Sequence, residues 1–259
     1  MHYRLLCPVL LAVVLVGCGD RPDAERNVDV DSTAWLAPDP DGPPAAWSYE
    51  GETGPAQWAS LSDAYDACDG DRQSPIALTD ATTKTGHTFN AKYLMELGDV
   101  IDPGYTIQVN TTGGMIMYDG LMYGLQQFHA HTPAEHTIDG TTDPAEVHLV
   151  HRAQDGSLVI LGVFVEEGDT PNPALQNWIT GADTTMTFRP SQLFPDTQAY
   201  YTYKGSLTTP PCSENVRWIV MDTPIAASRA QIDTLRAHYK NNARPVQPRG
   251  DRRLTHITP

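Results

Sequence analysis

The sequence has little positive charge, few cysteines and no long run of apolar residues. Its 259 residues include 17 Lys and Arg against 32 Asp and Glu, which gives a net charge of −15. Because no basic stripe is present to neutralise phosphates, the composition argues against a nucleic-acid partner. The acidity is better explained by solubility than by an acidic substrate. Internal repeats and a second linker are also missing, so we expect one large domain.

The N-terminus has the pattern of an export signal. Leu5 to Val16 is apolar but too short for a comfortable transmembrane span. The run ends at Leu15-Val16-Gly17-Cys18, which resembles a bacterial lipobox. We predict a lipoprotein signal peptide over residues 1–17, lipidation of Cys18, and export to the periplasmic or cell-surface side of a bacterial membrane. A plain secretory signal with a chance cysteine is the alternative.

Residues 18–45 are rich in Asp, Pro, Ala and Gly and are predicted to be a flexible tether. Of the four cysteines, Cys7 leaves with the predicted signal and Cys18 would carry the lipid. Cys68 and Cys212 remain as an even pair in an oxidising compartment. We predict that they form a disulfide; two buried free thiols are the alternative.

The folded domain is predicted to span residues 46–259 and to be mainly β-structure. Tyr105–Asn110 alternates between polar and apolar residues, and the turn signals Gly113-Gly114 and Asp119-Gly120 lead into Leu121–His131. Leu158–Val165 is continuously apolar, which indicates a strand buried on both faces.

Helices are expected to be few and peripheral. Ser228 and Gln231 form a capping-box pattern that opens a helix over Arg229–Tyr239. Shorter helices are expected between Gln57 and Ala67 and between Asn172 and Gly181. The tail from Pro245 to Pro259 is expected to wrap the surface.

The most informative segment is Gln127-Phe128-His129-Ala130-His131, followed by Ala145-Glu146-Val147-His148. Side chains alternate along a strand, so His129 and His131 project to one face. If the two runs pair, His148 lies beside them. Three neutral imidazoles with an open fourth position are typical of a catalytic zinc site, although isolated histidines are more often ordinary buried residues. Gln127 and Glu146 each precede a candidate ligand by two residues and are predicted to orient it.

Several motifs together resemble the α-class carbonic anhydrases over residues 46 to the C-terminus. They are the segments 127–136, 145–151 and 205–214, supported by Trp47-x-Tyr49, Gln73-Ser74-Pro75-Ile76, Trp218 and Asn242-x-Arg244-Pro245-Val246-Gln247-Pro248. The resemblance implies a single, predominantly β domain built on a large, mostly antiparallel twisted sheet with short peripheral helices. It also implies zinc in a conical cleft and a Cys68–Cys212 disulfide.

The resemblance implies an enzyme, a zinc lyase that reversibly hydrates carbon dioxide to bicarbonate and a proton by attack of zinc-bound hydroxide. His129, His131 and His148 would hold Zn²⁺. Thr208 would accept the hydrogen of the hydroxide and donate its own to Glu135. The other implied positions line the cleft: Val150, Ile160, Leu207 and Trp218 form its apolar wall, Thr209 lies on its polar side, and Gln108 and Gln127 complete the lining. Tyr49 would belong to the ordered-water network. His136 would be a buried neighbour of Glu135 and not a ligand.

The chain departs from the fast members of that family at the proton-shuttle position. Those members carry a histidine where alignment on Gly104 places Tyr105. A tyrosine with a pKa near 10 carries protons poorly around neutral pH, whereas a histidine near 6.5 is suited. We therefore expect proton release to depend on external buffer. His87 is another candidate carrier with no assigned place.

Two other function classes are weighed against this one. A non-catalytic binding module of the same fold would be expected to have lost a zinc ligand or the Thr/Glu pair, and all are present. A zinc hydrolase acting on esters is the other alternative, but the sequence has no His-Glu-x-x-His motif. Carbon dioxide and bicarbonate are the expected small-molecule partners, with contact to a membrane only through the lipid anchor.

Overall fold

A computed structural model of the chain describes residues 46–86, 89–176, 178–179 and 184–259. The predicted signal over 1–17, the tether over 18–45, the lipidated Cys18 and the candidate His87 lie outside the described residues. Within the described part, no helix is long and apolar enough to cross a membrane.

Strands dominate the described part of the chain. They are β1 (Ala77–Leu78), β2 (Thr82–Thr85), β3 (Asn90–Tyr93), β4 (Glu96–Ile101), β5 (Gln108–Asn110), β6 (Gly114–Tyr118), β7 (Leu121–His131), β8 (Thr137–Ile138), β9 (Ala145–Arg152), β10 (Leu158–Gly168), β11 (Thr184–Phe188), β12 (Tyr200–Gly205), β13 (Val216–Met221), β14 (Ile225–Ser228) and β15 (Thr255–Thr258). The helices are α1 (Trp58–Leu61), α2 (Pro173–Gln176) and α3 (Arg229–His238), with 3₁₀ segments at Gly51–Thr53, Asp63–Asp69 and Pro190–Leu193.

One large sheet organises these strands in the order β11-β4-β5-β7-β9-β10-β13-β12-β15-β2, with β6 and β14 pairing at its side and β3 pairing with β6. Most neighbours are antiparallel, as predicted. The sheet is nevertheless mixed, because β10 runs parallel to both β13 and β14, and β15 runs parallel to β2. β1 and β8 form a separate parallel pair.

The central strands β7, β9 and β10 are buried on both faces. One face packs against α3 in a large apolar core that contains Phe128, Leu149 and Leu161. The opposite face carries a smaller apolar cluster that contains Val150, Ile160 and Trp218. The histidines predicted to bind metal project from this second face, where polar groups lie beside the smaller cluster.

The sequence predicted the central elements well. β7 and β9 pair in antiparallel fashion, and Asp119-Gly120 forms the turn before β7 with positive φ at both residues. β10 is buried on both faces along most of its length, as predicted. Helix α3 begins at Ser228 with both hydrogen-bond partners of the capping box in place.

Other elements differ from the predictions. The strand expected over Tyr105–Asn110 is limited to β5, and before it the Tyr105 carbonyl accepts from the Asn242 side chain instead of a neighbouring strand. The helix expected up to Ala67 breaks at Ser62, which is extended and whose hydroxyl accepts from Ala64 N. Of the helix expected between Asn172 and Gly181, the described residues contain one turn, α2. The tail does not only wrap the surface, since it ends in β15 inside the sheet.

Strand β7 contains a β-bulge between Leu125 and Gln127. Leu125 pairs with His151, and Gln127 pairs with Val150, so Gln126 is the extra residue. A bulge of this kind places two residues opposite one and locally changes the direction of side chains.

Candidate metal centre

Three histidines converge on the cleft face of the central sheet. His129 and His131 lie on β7, and His148 lies directly opposite His129 on β9. One ring nitrogen of each lies within 4.8 Å of those of the other two. His131 and His148 are buried and His129 is partly exposed. The pairing of β7 with β9 that the sequence suggested therefore brings all three candidate ligands together.

Each imidazole is held through its other nitrogen. His129 Nδ1 donates to Gln127 Oε1 at 2.8 Å, and His148 Nε2 donates to Glu146 Oε1 at 3.0 Å. His131 Nδ1 donates to the carbonyl oxygen of Asn242 at 2.6 Å. These contacts assign the tautomers, because carbonyl and carboxylate oxygens only accept. His129 Nε2, His131 Nε2 and His148 Nδ1 remain to bind a metal.

The electrostatics of the three rings suit a metal. Burial lowers the pKa of His129 well below its usual value, lowers that of His131 to about 4, and lowers that of His148. The rings are therefore neutral at pH 7 and have lone pairs available. His131 Nε2 is buried and has no hydrogen-bond partner among the described residues. An orphaned nitrogen of this kind fits a tetrahedral ion such as Zn²⁺.

Glu146 connects this centre to a neighbouring loop. Its Oε2 accepts from the backbone N–H groups of Glu135 and His136, both at 2.9 Å, and its Oε1 accepts from His136 Nδ1 at 2.7 Å. Burial raises the pKa of Glu146, but His136 and His148 outweigh it and hold the pKa well below its usual value. His136 also contacts the Tyr203 hydroxyl at 2.7 Å. It is thus a buried neighbour, as expected.

Glu135 lies behind the histidines, with its carboxyl 3.5 Å from His131 Nδ1 and 3.9 Å from His148 Nδ1. Its Oε1 accepts from Arg244 N at 2.8 Å, whereas its buried Oε2 has no hydrogen-bond partner among the described residues. Burial raises the pKa of Glu135 to about 7, while His148, Arg244 N–H and the Thr208 hydroxyl lower it. The Thr208 hydroxyl is therefore close enough to influence this carboxyl.

A cleft opens beside the histidines. Its lining combines apolar and polar side chains: Tyr105, Gln108, Gln127, His129, His148, Val150, Ile160, Leu207, Thr208 and Thr209. A larger cavity of about 370 Å³ lies elsewhere, beside Tyr93 and Phe194, but no His, Cys, Asp or Glu among the described residues lines it. The chemistry is therefore placed at the smaller cleft, where the metal-binding groups are.

Two residues predicted for the cleft are not among those that line it. Trp218 is buried and lies beneath the site, with its ring centroid 4.8 Å from that of His148. The Tyr49 ring packs against Trp47 and Trp58, and its buried hydroxyl has no hydrogen-bond partner among the described residues.

Tyr105, the residue at the predicted proton-shuttle position, does line the cleft. Burial raises the pKa of its hydroxyl to about 12.

Asn242 is a site residue to which the sequence assigned no role. Its carbonyl orients His131, its Oδ1 accepts from Thr132 N at 2.7 Å, and its Nδ2 donates to Ala130 O at 3.1 Å and Tyr105 O at 3.0 Å. These contacts join chain segments more than 100 residues apart. The Asn242-x-Arg244 motif was the only signal, and it did not specify a backbone acceptor.

Cys68 and Cys212 form a disulfide. It closes a small apolar cluster with Trp58 and Tyr65. Cys212 N also donates to Thr209 O at 2.9 Å, so the bond lies at the base of the loop that carries Thr208. The disulfide fits a protein exported to an oxidising compartment.

The fold and the site together define a β-sheet protein with a cluster of three imidazoles that could hold a metal ion. The family model described as eukaryotic-type carbonic anhydrase matches residues 53–258. The chain belongs to this family, the α-class carbonic anhydrases. The family hydrates carbon dioxide, so the chain is an enzyme of the lyase class.

Relatives support the assignment. A carbonic anhydrase of Nostoc sp. is 40% identical over 222 residues, covering 80% of this chain and 84% of the relative, and one of Pectobacterium atrosepticum is 37% identical over 222 residues, covering 81% and 90%. The solved α-carbonic anhydrase of Thermovibrio ammonificans, in complex with the inhibitor sulfanilamide, is 37% identical with a TM-score of 0.77. That comparison covers 82% of this chain and 99% of the solved one.

Proposed function

We propose that this chain hydrates carbon dioxide reversibly to bicarbonate and a proton, using Zn²⁺ held by His129, His131 and His148. The observation that carries the proposal is the convergence of three neutral imidazole nitrogens, one of them buried without a partner. When bound, zinc acts as a Lewis acid and lowers the pKa of a water to about 7, which supplies a nucleophile at neutral pH.

Thr208 and Glu135 select the orientation of that nucleophile. In its ionised form the Glu135 carboxylate only accepts hydrogen bonds, so its Oε2 then accepts one from the Thr208 hydroxyl. The threonine oxygen then has only lone pairs on its cleft side, so it accepts a hydrogen bond from the nucleophile there. With its hydrogen directed at Thr208, the nucleophile turns a lone pair towards the substrate. The support is the buried, unpaired Glu135 Oε2 and the effect of Thr208 on the Glu135 pKa.

The lining of the cleft suits both the substrate and the product. Carbon dioxide is apolar, and Val150, Ile160 and Leu207 supply apolar contacts from one apolar cluster. Bicarbonate is polar, and Thr209 and Gln108 supply hydrogen-bonding groups. The same cleft can therefore accept an apolar substrate and release a polar product.

Proton release is proposed to depend on buffer. Tyr105 stands where a carrier would be needed, but burial raises its pKa to about 12, so it stays protonated around neutral pH. We expect Tyr105→His to raise the peak turnover several-fold at low buffer concentration and to have little effect in concentrated imidazole. An equal rate for the two proteins in stopped-flow assays at low buffer would contradict this.

The site of action is proposed to be the outer side of a bacterial membrane, with Cys18 lipidated after removal of residues 1–17. The lipobox-like sequence and the Cys68–Cys212 disulfide support export. The full chain should fractionate with membranes and be released by detergent, whereas a Cys18→Ser variant should lack the lipid mass. Recovery of unmodified Cys18 in the exported wild type would refute the anchor.

The proposed activity is tested by stopped-flow carbon dioxide hydration of the purified protein. Rates are measured with and without a zinc chelator, at low and high imidazole concentrations. Fast hydration that the chelator abolishes and zinc restores is expected. A protein that binds zinc but does not hydrate carbon dioxide would instead be a binding module.

A further inference from the structure

We infer that Gln126 is a positioning residue for the metal ligands, because it forms and stabilises the bulge that turns His129 and His131 towards the cleft. The inference rests on the proposed zinc site. Its direct evidence is the register of β7 against β9, in which Leu125 to Phe128 on β7 oppose His151 to Leu149 on β9. Three residue steps along β7 therefore match two residue steps along β9, which leaves one extra residue on β7.

The faces of β7 show what the extra residue does. Before the bulge, Tyr123 and Leu125 point into the large core with α3. After the bulge, Phe128 and Ala130 point into the same core. Side chains alternate strictly in a regular strand, so residues an odd number apart cannot share a face. Without the bulge, a regular strand of the same sequence that kept Leu125 in the core would direct His129 and His131 into it as well.

The side chain of Gln126 holds this irregular backbone in place. A bulge disrupts the ladder and leaves backbone groups in need of partners. The amide Nε2 of Gln126 donates to Gly124 O at 3.1 Å and to Leu125 O at 3.3 Å, the two carbonyls that precede it. On the other side, the carbonyl of Gln126 accepts from Thr111 N at 3.1 Å.

The hydrogen bonds of Gln126 lie only a few residues from the candidate ligands on the same strand. Gln127, the next residue, orients His129 through a 2.8 Å hydrogen bond. The bulged residue itself is half-exposed and does not belong to the cleft lining. Its effect on the metal therefore passes through the backbone of β7 and not through a contact with substrate.

The sharpest variant is Gln126→Glu. It keeps the size of the side chain but replaces the donating amide with an accepting carboxylate, which faces two carbonyl oxygens and cannot bond them. Gln126→Ala removes the same donors without adding charge. Met122→Ala is the control, because Met122 is an exposed residue on the same strand before the bulge. Zinc affinity is measured by competition with a chelator, and thermal unfolding of the metal-free proteins is measured in parallel.

We expect Gln126→Glu and Gln126→Ala to weaken zinc binding about tenfold, in the range typical of residues that orient ligands, and Met122→Ala to leave it unchanged. The visible spectrum of the cobalt-substituted Gln126 variants should also change, which a loss of stability alone would not cause. Hydrogen exchange of the metal-free protein should be faster at Gln127 and Phe128. Unchanged zinc affinity and an unchanged cobalt spectrum in both variants would overturn the inference.

If the wild type itself bound no zinc, the proposed function would fail, and the exchange measurement would still report whether Gln126 holds the bulge.

Discussion

At the scale of single residues, Glu146 links the candidate ligand His148 to the neighbouring loop. One oxygen of its carboxylate contacts His136 Nδ1 and His148 Nε2, and the other accepts from the backbone of Glu135 and His136. The same side chain therefore orients a metal ligand and holds the loop that presents Glu135. A small displacement of this carboxylate should disturb both.

Gly162 tests this dependence. It lies opposite His148 on β10, and a Cβ atom there would be 2.7 Å from Glu146 Oε1. Gly162→Ala should therefore displace the carboxylate and weaken zinc binding about tenfold, as loss of an orienting partner does. Gly86→Ala, where a Cβ meets nothing within 4 Å, is the control in the same chelator competition. Equal zinc affinities for the two variants would show that Glu146 can move without consequence.

Thr208 tests the hydroxyl that faces Glu135. Thr208→Ala removes the oxygen that orients the nucleophile, and kcat/KM for carbon dioxide hydration should fall about 100-fold, as when other preorganised hydrogen-bonding groups are removed. Thr208→Ser keeps the hydroxyl and should retain most of the activity. Zinc affinity should be the same in all three proteins. An alanine variant as fast as the serine variant would exclude the role.

At the scale of elements, the sequence predicted the segments that carry the ligands because alternation is regular over residues 127–131 and 145–149. Within these segments polar and apolar residues lie on opposite faces, and His129 pairs with His148 as expected. The bulge at Gln126 could not be predicted, since no glycine or proline marks it. The role of the Asn242 carbonyl could not be predicted for another reason, because every residue type has a backbone carbonyl that can accept a hydrogen bond. The late beginning of β5 was also not predictable, because the Tyr105 carbonyl before it is bonded by Asn242, which is distant in sequence.

The burial of β7 and β9 sets the pH dependence of metal binding. Burial lowers the pKa of all three ligand imidazoles, that of His131 to about 4. A lowered pKa keeps each ring unprotonated down to more acidic pH, so protons compete with zinc only in acid. Zinc affinity measured against a chelator of known proton dependence should stay level from pH 8 to about pH 5.5 and fall below it. A steep loss between pH 7 and pH 6 would indicate ordinary histidine pKa values.

At the scale of the whole molecule, long-range covalent and polar contacts hold the N-terminal and C-terminal parts of the domain together. The Cys68–Cys212 disulfide spans 144 residues. Arg244 Nη2 donates to Cys68 O at 2.9 Å, and Arg244 N donates to Glu135. The Thr208 loop and the Glu135 carboxyl are thus both tied to the same N-terminal segment.

Removal of the disulfide should lower stability. In the chain-entropy model, a loop of this length contributes up to about 5 kcal/mol to the free energy of unfolding, and measured contributions are often smaller. The double variant Cys68→Ser/Cys212→Ser should unfold at a lower denaturant concentration than the oxidised wild type. The wild type treated with reductant should match the variant. Identical unfolding curves for oxidised and reduced wild type would contradict this contribution.

The spacing of the site along the chain has a consequence for synthesis. All three candidate metal ligands lie on two adjoining strands and are present once residue 148 has been added. Thr208 and the Asn242 carbonyl come from the remaining part of the chain. A growing polypeptide thus has its full set of candidate ligands before it has the hydroxyl that is proposed to order the reaction, and an ion captured at that point would wait for 60 more residues before Thr208 is added.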